Sequence, residues 1–558
     1  MLLVSLIIGS AALLSWYLGR YMAWVVQPLQ MGTRRTRFEQ FLQSAVGQGL
    51  NSPQNWQNYV KALLIFNTVM FIVGFILLAL QPYLPLNPDG KTALSWDLLF
   101  HTTVSFVTNT NQQHYAGEQH LSYFSQLFFV CWLQFVSAAT GISALAALSR
   151  ALRGQTDMGN FFQDVARVTF LILLPLSLLL AILLILGEVP MTLEGAAVAH
   201  TLEGAIQTIA RGPVAAIVAI KQLGTNGGGF FGANSAHPFE NPNIYTNLLE
   251  NIAILLLPMA SVWMFGHITQ RLRHAGVLFA IMGVLLITQT SLAGYFESKP
   301  APALTALAVS QDVGNLEGKE LRLGSSASAW WASATTATSS GSVNAMHDSL
   351  NPLTGLIALL NMWLNMIYGG VGVGLLNFFL YIIVAVFIAG MMVGRTPEYL
   401  ARKVEAPEMQ IALLALLLHP LLILGGTALF AATPWGITTV THTGSHGFSQ
   451  ILYEMTSAAA NNGSGFEGLS DNTVAWNVTT GVIMLLGRFL PIMAPLVIAG
   501  WLAAKRPSPE TAGSLRVDTP LFGIVLLGTV LLVGALMFLP VAVLGPVSEH
   551  LTSSHIAP

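Results

Sequence analysis

Asn461-Asn462-Gly463-Ser464-Gly465 is a run of small polar residues set between two apolar stretches, and it has three counterparts upstream. They are Val107-Thr108-Asn109-Thr110-Asn111, Gly224-Thr225-Asn226-Gly227-Gly228 and Thr338-Ser339-Ser340-Gly341-Ser342. Before each comes a segment with helical potential but too little apolar length to span: Ser95–Phe106, Leu202–Leu223, Ala327–Ala337 and Gly447–Ala458. Such a segment can only dip into a membrane and return, which bare backbone survives where protein or water shelters it. Glycine and asparagine tolerate positive φ on the return limb, and small side chains leave carbonyl oxygens as ligands. One such cluster reads as an ordinary turn. Four in register, each between two spans, read as a cation filter around one axis, with the negative end of each short helix aimed inward.

Composition sets the solvent. The chain has 558 residues, 54% hydrophobic and only 9% charged, against roughly 25% charged in soluble domains. That much apolar surface calls for lipid around it. A formal net charge of −2 offers no basic face, which excludes nucleic acid as a partner. The single cysteine, Cys131, lies in an apolar run; it rules out a disulfide framework and predicts inert buried packing.

About ten runs are long enough to cross a bilayer at ~20 residues each: 2–26, 61–82, 121–149, 166–187, 247–268, 275–296, 371–394, 410–431, 474–502 and 520–545. The first lacks a basic leader and reads as a retained helix rather than a secretory signal. Leu353–Tyr368 is also apolar and reads as a half-span or an interfacial segment. With both termini outside, the cytoplasmic gaps hold Arg34, Arg35, Arg37 and Lys61; Arg150, Arg153 and Arg167; Arg271 and Arg273; Arg395, Arg402 and Lys403; and Lys505, Arg506 and Arg516. Only Lys91, Arg211, Lys221, Lys299, Lys319 and Arg322 fall opposite, so the positive-inside rule favours this threading. The expected fold is therefore an all-α polytopic membrane protein with four pseudo-repeated span–pore helix–filter loop–span units. The expected divisions are 1–58 (first span and loop), 59–158, 159–270, 271–404 and 405–510 (the four units), and 511–558 (last span and tail).

Single residues refine the reading. Arg488 sits deep in its span, where an unpaired cation costs ~2.5–3.5 kcal/mol on insertion scales; it is expected to act as a positive plug beneath the filter. Gly369-Gly370-Val371-Gly372 interrupts an apolar stretch and is expected to form a gating loop in a broken helix. His347 and Asp348 read as solvent-facing loop rather than a metal pair. Lys221 is expected to orient a loop rather than meet the ion. Arg395 reads as an anchor or a docking residue. Gly227-Gly228-Gly229 lacks the trailing Lys-Ser/Thr of a phosphate cradle, and no Asp-Lys-Thr-Gly, HExxH or GxSxG occurs. Neither a nucleotide site nor a membrane-embedded enzyme is expected.

Longer stretches carry a family likeness: Ser105-Phe106-Val107-Thr108-Asn109-Thr110-Asn111, Leu223-Gly224-Thr225-Asn226-Gly227-Gly228-Gly229-Phe230-Phe231, Ala345-Met346-His347-Asp348-Ser349 and Gly394-Arg395-Thr396-Pro397-Glu398-Tyr399-Leu400. From first helix to last, the chain resembles the potassium-binding subunits of bacterial Kdp potassium-transporting ATPases. The resemblance implies a fold like potassium channels and their Trk and Ktr relatives, K+ as the transported ion, a P-type ATPase partner and two smaller membrane subunits, all in a bacterial inner membrane. It implies a non-catalytic subunit that selects K+ from outside and passes it to the ATPase. An autonomous K+ channel or ion-coupled transporter of the Trk/Ktr type is the alternative.

By the same resemblance the filter takes Asn109, Thr110, Asn111 and Gln113 from the first loop, and Thr225, Asn226, Gly227 and Gly228 from the second. Ser339, Ser340 and Gly341 come from the third, and Asn461, Asn462 and Gly463 from the fourth. Ser340 stands where the family pattern leads one to expect cysteine, Ala460 where a further asparagine is expected, and Asn365 where a glutamate is familiar. Carbonyl coordination tolerates the first two departures; the third removes a carboxylate.

Overall fold

The computed structural model describes residues 2–27, 52–304, 307, 309–392, 394, 396–507 and 516–556. In chain order the main elements begin with α1 (Leu2–Val26), α2 (Trp56–Ala79), α3 (Trp96–Val107), α4 (Tyr123–Leu152) and α5 (Phe161–Leu186). A hairpin, β1 (Ala197–His200) and β2 (Ile206–Ile209), leads to α6 (Val214–Leu223), α7 (Ile244–Thr269), α8 (Leu272–Glu297) and α9 (Gly324–Ala337). Next come α10 (Pro352–Leu364), α11 (Val373–Met392), a two-residue hairpin β3 (Glu398–Tyr399) and β4 (Arg402–Lys403), and α12 (Ala406–Ala431). The last are α13 (Gly444–Ala460), α14 (Val474–Ala504) and α15 (Pro520–Thr552), the last of these kinked at Gly545.

Nine of the described helices are long and apolar enough to cross a membrane, and α1, with 25 residues, stands beside them. The order long helix, short helix, polar loop, long helix recurs four times: α2–α3–α4, α5–α6–α7, α8–α9–α10/α11 and α12–α13–α14. The fold is all-α and polytopic, as expected. Helix starts follow from local chemistry: Asn243 and Thr246 form a reciprocal capping box on α7, and Pro352 opens α10, where a missing N–H costs nothing.

Long side chains mark the lipid face. Ile72 of α2, Leu179 of α5, Leu421 of α12 and Leu536 of α15 all stand exposed, an apolar surface that water would not tolerate. By contrast α7 and α11 are largely buried within the bundle. α1 lies along α7, and the approach is close because Gly19 has no Cβ. One built there would come within 2.5 Å of the Trp263 Cβ.

Two expectations need correction. Leu202–Leu223 is not one helix: residues up to Ile209 belong to the β1–β2 hairpin, and helix starts only at Val214, after Gly212-Pro213. Exposed alternating residues and the proline override the weak helical pattern there. Cys131 is half-buried rather than enclosed, on a π-helical turn that opens α4. Leu353–Tyr368 forms the short apolar helix α10 (Pro352–Leu364), followed by a break before α11, which fits the half-span reading. Arg34, Arg35, Arg37 and Arg395 lie outside the described residues.

Candidate functional site

The four short helices end identically. In each, the second residue past the last helical one (or, in α13, the first) is left-handed: Asn109 (φ 62°), Thr225 (φ 47°), Ser339 (φ 53°) and Asn461 (φ 52°). The next N–H then turns back five residues to the helix: Thr110 to Ser105 O (2.9 Å), Asn226 to Lys221 O (3.0 Å), Ser340 to Thr335 O (2.9 Å) and Asn462 to Ser457 O (2.9 Å). This is the Schellman closure, which satisfies a helix's last carbonyls and reverses the chain. Asn109 and Asn461 suit it because asparagine accepts left-handed backbone; Thr225 and Ser339 pay for it in strain.

After that turn the four return limbs meet. A Cβ on Gly227 would fall 2.1 Å from Gly341 N, one on Gly341 2.8 Å from Gly463 C, and one on Gly463 2.0 Å from Thr110 O. One on Gly228 would lie 2.9 Å from the Asn111 Cβ, which returns to the first loop. The loops therefore form a closed cycle in the order one, two, three, four. Side chains tie each corner. Asn226 Nδ2 donates to Asn109 Oδ1 (2.6 Å), and Gln113 pairs with Gly229 through its amide (Nε2 to O, 3.2 Å; N to Oε1, 3.0 Å). Gln222 donates to Ser342 Oγ (2.9 Å), Asn462 to Ser340 O (3.0 Å), Ser339 to Ala460 O (2.7 Å), and Asn461 to Thr110 Oγ1 (2.9 Å). No loop residue from Thr108 to Gln113, Gly224 to Gly229, Thr338 to Ser342 or Asn461 to Gly465 is ionisable. A ring of neutral oxygens at four helix C-termini suits a monovalent cation.

A family model described as Potassium-transporting ATPase A subunit matches residues 5–551. The chain belongs to that family. Among similar proteins named potassium-transporting ATPase potassium-binding subunit, that of Pseudomonas putida is 50% identical over 517 residues, covering 92% of each chain. That of Geobacillus kaustophilus is 49% identical over 499 residues, 89% of each. That of Alicyclobacillus acidocaldarius is 46% identical over 554 residues, 99% of this chain and 98% of its own.

In this A-subunit family member one end of the ring is covered. The break between α10 and α11 holds three unusual backbone positions, Tyr368 (φ 49°), Gly370 (φ 23°) and Gly372 (φ 82°). Gly370 N donates to Thr338 O (2.7 Å), and Val371 N to Thr225 Oγ1 (3.0 Å), which hangs the break from the second and third loops. Gly369 lies against Ala337 O, and a Cβ on Gly372 would meet Gly141 O at 2.4 Å. Asn365 terminates α10 in the left-handed conformation and donates to Ala460 O (3.4 Å). Arg488 reaches the same place from α14: it is 4% exposed and donates to Ser137 O (3.3 Å), and its Nη1 would lie 3.8 Å from a Cβ on Gly370. The structure thus brings Arg488 and the glycine break together under the ring.

Behind the second loop, Lys221 is fully buried and does not join the ring. It bonds Asn234 Oδ1 (2.8 Å), Ser235 and Glu240, while Asn234 Nδ2 holds the Gly227 carbonyl (2.5 Å). It orients a loop, as expected. His347 and Asp348 contradict the solvent-facing reading, since both are buried. His347 pairs with the Tyr453 hydroxyl (2.9 Å) and Asp348 accepts from Gln450 (3.0 Å), so packing between the third and fourth loops encloses them. At the mouth, His114 bonds Glu454 (3.0 Å) and Asn477 (2.7 Å), with Asp471 at 3.8 Å. Burial lowers its pKa, but Asp471 and then Glu454 more than offset this and push it up to about 9.

Sequence reasoning missed Gln134 and Ser137 on α4. Gln134 Nε2 holds the Gly228 carbonyl (2.7 Å), and Ser137 Oγ donates to Asn109 Oδ1 (2.8 Å). Their signal was available: Gln134, Ser137 and Thr140 recur every three residues within a span long enough to cross a membrane.

Proposed function

We propose that the four-loop ring selects and dehydrates K+, and that the chain is the non-catalytic ion-binding subunit of an ATP-driven K+ uptake complex. The observation that carries this reading is the closed cycle of Gly227, Gly341, Gly463 and Asn111 around one centre, fed by four helix C-termini. Main-chain oxygens there replace the ion's water. The Asn111 carboxamide, buried and without a hydrogen bond among the described residues, adds a neutral oxygen beside them. We assign Asn109, Thr110, Asn111, Gln113, Thr225, Asn226, Gly227, Gly228, Ser339, Ser340, Gly341, Asn461, Asn462 and Gly463 to the filter, and Arg488, Gly369, Gly370 and Gly372 to the barrier below it. The divisions at 58, 158, 270, 404 and 510 follow the four units.

The names of the relatives, subunits of potassium-transporting ATPases, support a partner that hydrolyses ATP, and this chain carries no P-loop or phosphorylatable Asp-Lys-Thr-Gly. Two smaller membrane subunits, an inner-membrane location and termini on the outer side complete the proposal, the last from the Lys and Arg asymmetry. The rival reading, a self-sufficient channel or ion-coupled transporter, is disfavoured by Arg488 and the glycine break, which close the straight path. ATPase activity of the reconstituted complex in K+ against Na+ tests the proposal. Strong stimulation by K+ alone is expected. Equal stimulation by both ions, or K+ uptake indifferent to ATP, sinks it.

A further inference from the structure

Away from the ring, on the same face of the bundle as the pore loops, three segments distant in sequence converge. Asp348 follows the third loop, His442 and His446 flank the start of α13, and Glu549 sits near the end of α15. His446 Nε2 lies 3.0 Å from Asp348 Oδ1, and His442 Nδ1 lies 3.8 Å from Asp348 Oδ2. One donor atom from each of the three lies within 4.8 Å of the others. Ligands around a tetrahedral metal at ~2.0–2.1 Å stand roughly 3.3 Å apart, so a small swing of one side chain completes the set. His442 has 57% of its side chain exposed, and the swing exchanges its Nδ1 contact with Thr441 Oγ1 (3.1 Å) for the metal.

The surroundings favour a ligand over a mere strut. His446 Nδ1 donates to Glu549 Oε1 (2.8 Å), which fixes the ring and leaves Nε2 directed at Asp348. A carboxylate behind the second nitrogen of a histidine is the usual support of a metal-bound imidazole. Gln450 Nε2 donates to Asp348 Oδ1 (3.0 Å) and leaves Oδ2 for coordination. The cluster opens on a cavity of about 210 Å³ lined by Asp348, His442, His446 and Glu549, which gives an ion a path in and room for a water as fourth ligand. Two imidazoles and one carboxylate are a donor set for Zn2+ or a similar divalent transition metal, not for Ca2+ or Mg2+.

We propose that Asp348, His442 and His446 form a Zn2+ site that ties the third-loop exit to the start of α13, with Glu549 as a positioning residue behind His446. Binding replaces the His446 Nε2 proton now shared with Asp348, so one proton leaves for each metal bound. Calorimetric titration of the purified full-length chain with Zn2+, run in two buffers of different ionisation enthalpy, reads both quantities. The expected result is one Zn2+ per chain with release of one proton. His442→Ala, at an exposed position that folding tolerates, and His446→Gln abolish binding. Glu549→Gln weakens it by about 10–100-fold, and His114→Gln leaves it intact. The proposal fails if the wild-type chain takes up no Zn2+ at micromolar concentration, or if His442→Ala and His446→Gln bind like wild type. Loss of binding in His114→Gln alone also overturns it, because the ion then sits at His114, Glu454 and Asp471.

Discussion

At Gly463 the backbone sits at φ 101°, and a Cβ there would fall 2.0 Å from Thr110 O. Neither the conformation nor the space admits a side chain. Gly463→Ala is expected to displace the fourth limb and weaken K+ affinity by roughly tenfold or more, equivalent to ~1.4 kcal/mol, as read by K+ titration of transport. Gly425 in α12, with open space around it, serves as the control and is expected to take alanine without effect. His114 gives a pH test. Its pKa rises from 6.5 to about 9, so the stabilisation from its carboxylate partners is complete below about 6.5 and is lost as pH climbs through about 9. Burial raises the Asp471 carboxyl, while the His114 charge beside it pulls it back down. Thermal unfolding between pH 7 and 10 is expected to show a loss of stability near pH 9 that His114→Gln removes. An identical profile in the variant would assign the step to another group.

Among elements, the break between α10 and α11 hangs from the ring through Gly370 N and Val371 N, but Gly372 takes no part in those two bonds. Gly372 needs φ 82° and the absence of a Cβ against Gly141 O, yet it contributes nothing to the return limbs. If the break gates as proposed, Gly372→Ala is expected to slow K+ turnover several-fold while leaving the affinity for K+ within about twofold of wild type. A parallel fall in affinity would show instead that the break supports the ring. The spans, the short helices and the glycine break were legible in the sequence, because apolar length and glycine spacing are local properties. The β1–β2 hairpin was not, since Ala197–Ile209 carries little pattern of its own. The supports were also hidden. Lys221 and Asn234 lie 13 residues apart and meet only through the fold, and Asn461 finds Thr110 across 351 residues.

For the whole molecule the decisive question is whether Arg488 closes the axis, as proposed. Arg488, 4% exposed and bonded to Ser137 O, lies beneath a ring without ionisable groups. Arg488→Gln is expected to raise passive K+ flux through liposomes that hold the complex without ATP, with the fold intact by thermal unfolding. Unchanged flux would leave the arginine a structural cation. The ring also has a property that four identical protomers cannot possess. Its backbone turn repeats at every corner, but its side chains do not: one corner carries a pair of left-handed asparagines, another three consecutive glycines, and Arg488 and the α10–α11 break each occur once. A homotetramer must install any obstruction on all four sides or none. Joining the quarters in one polypeptide frees each to drift separately, so a residue such as Arg488 can stand on one side of the axis without three copies opposite it.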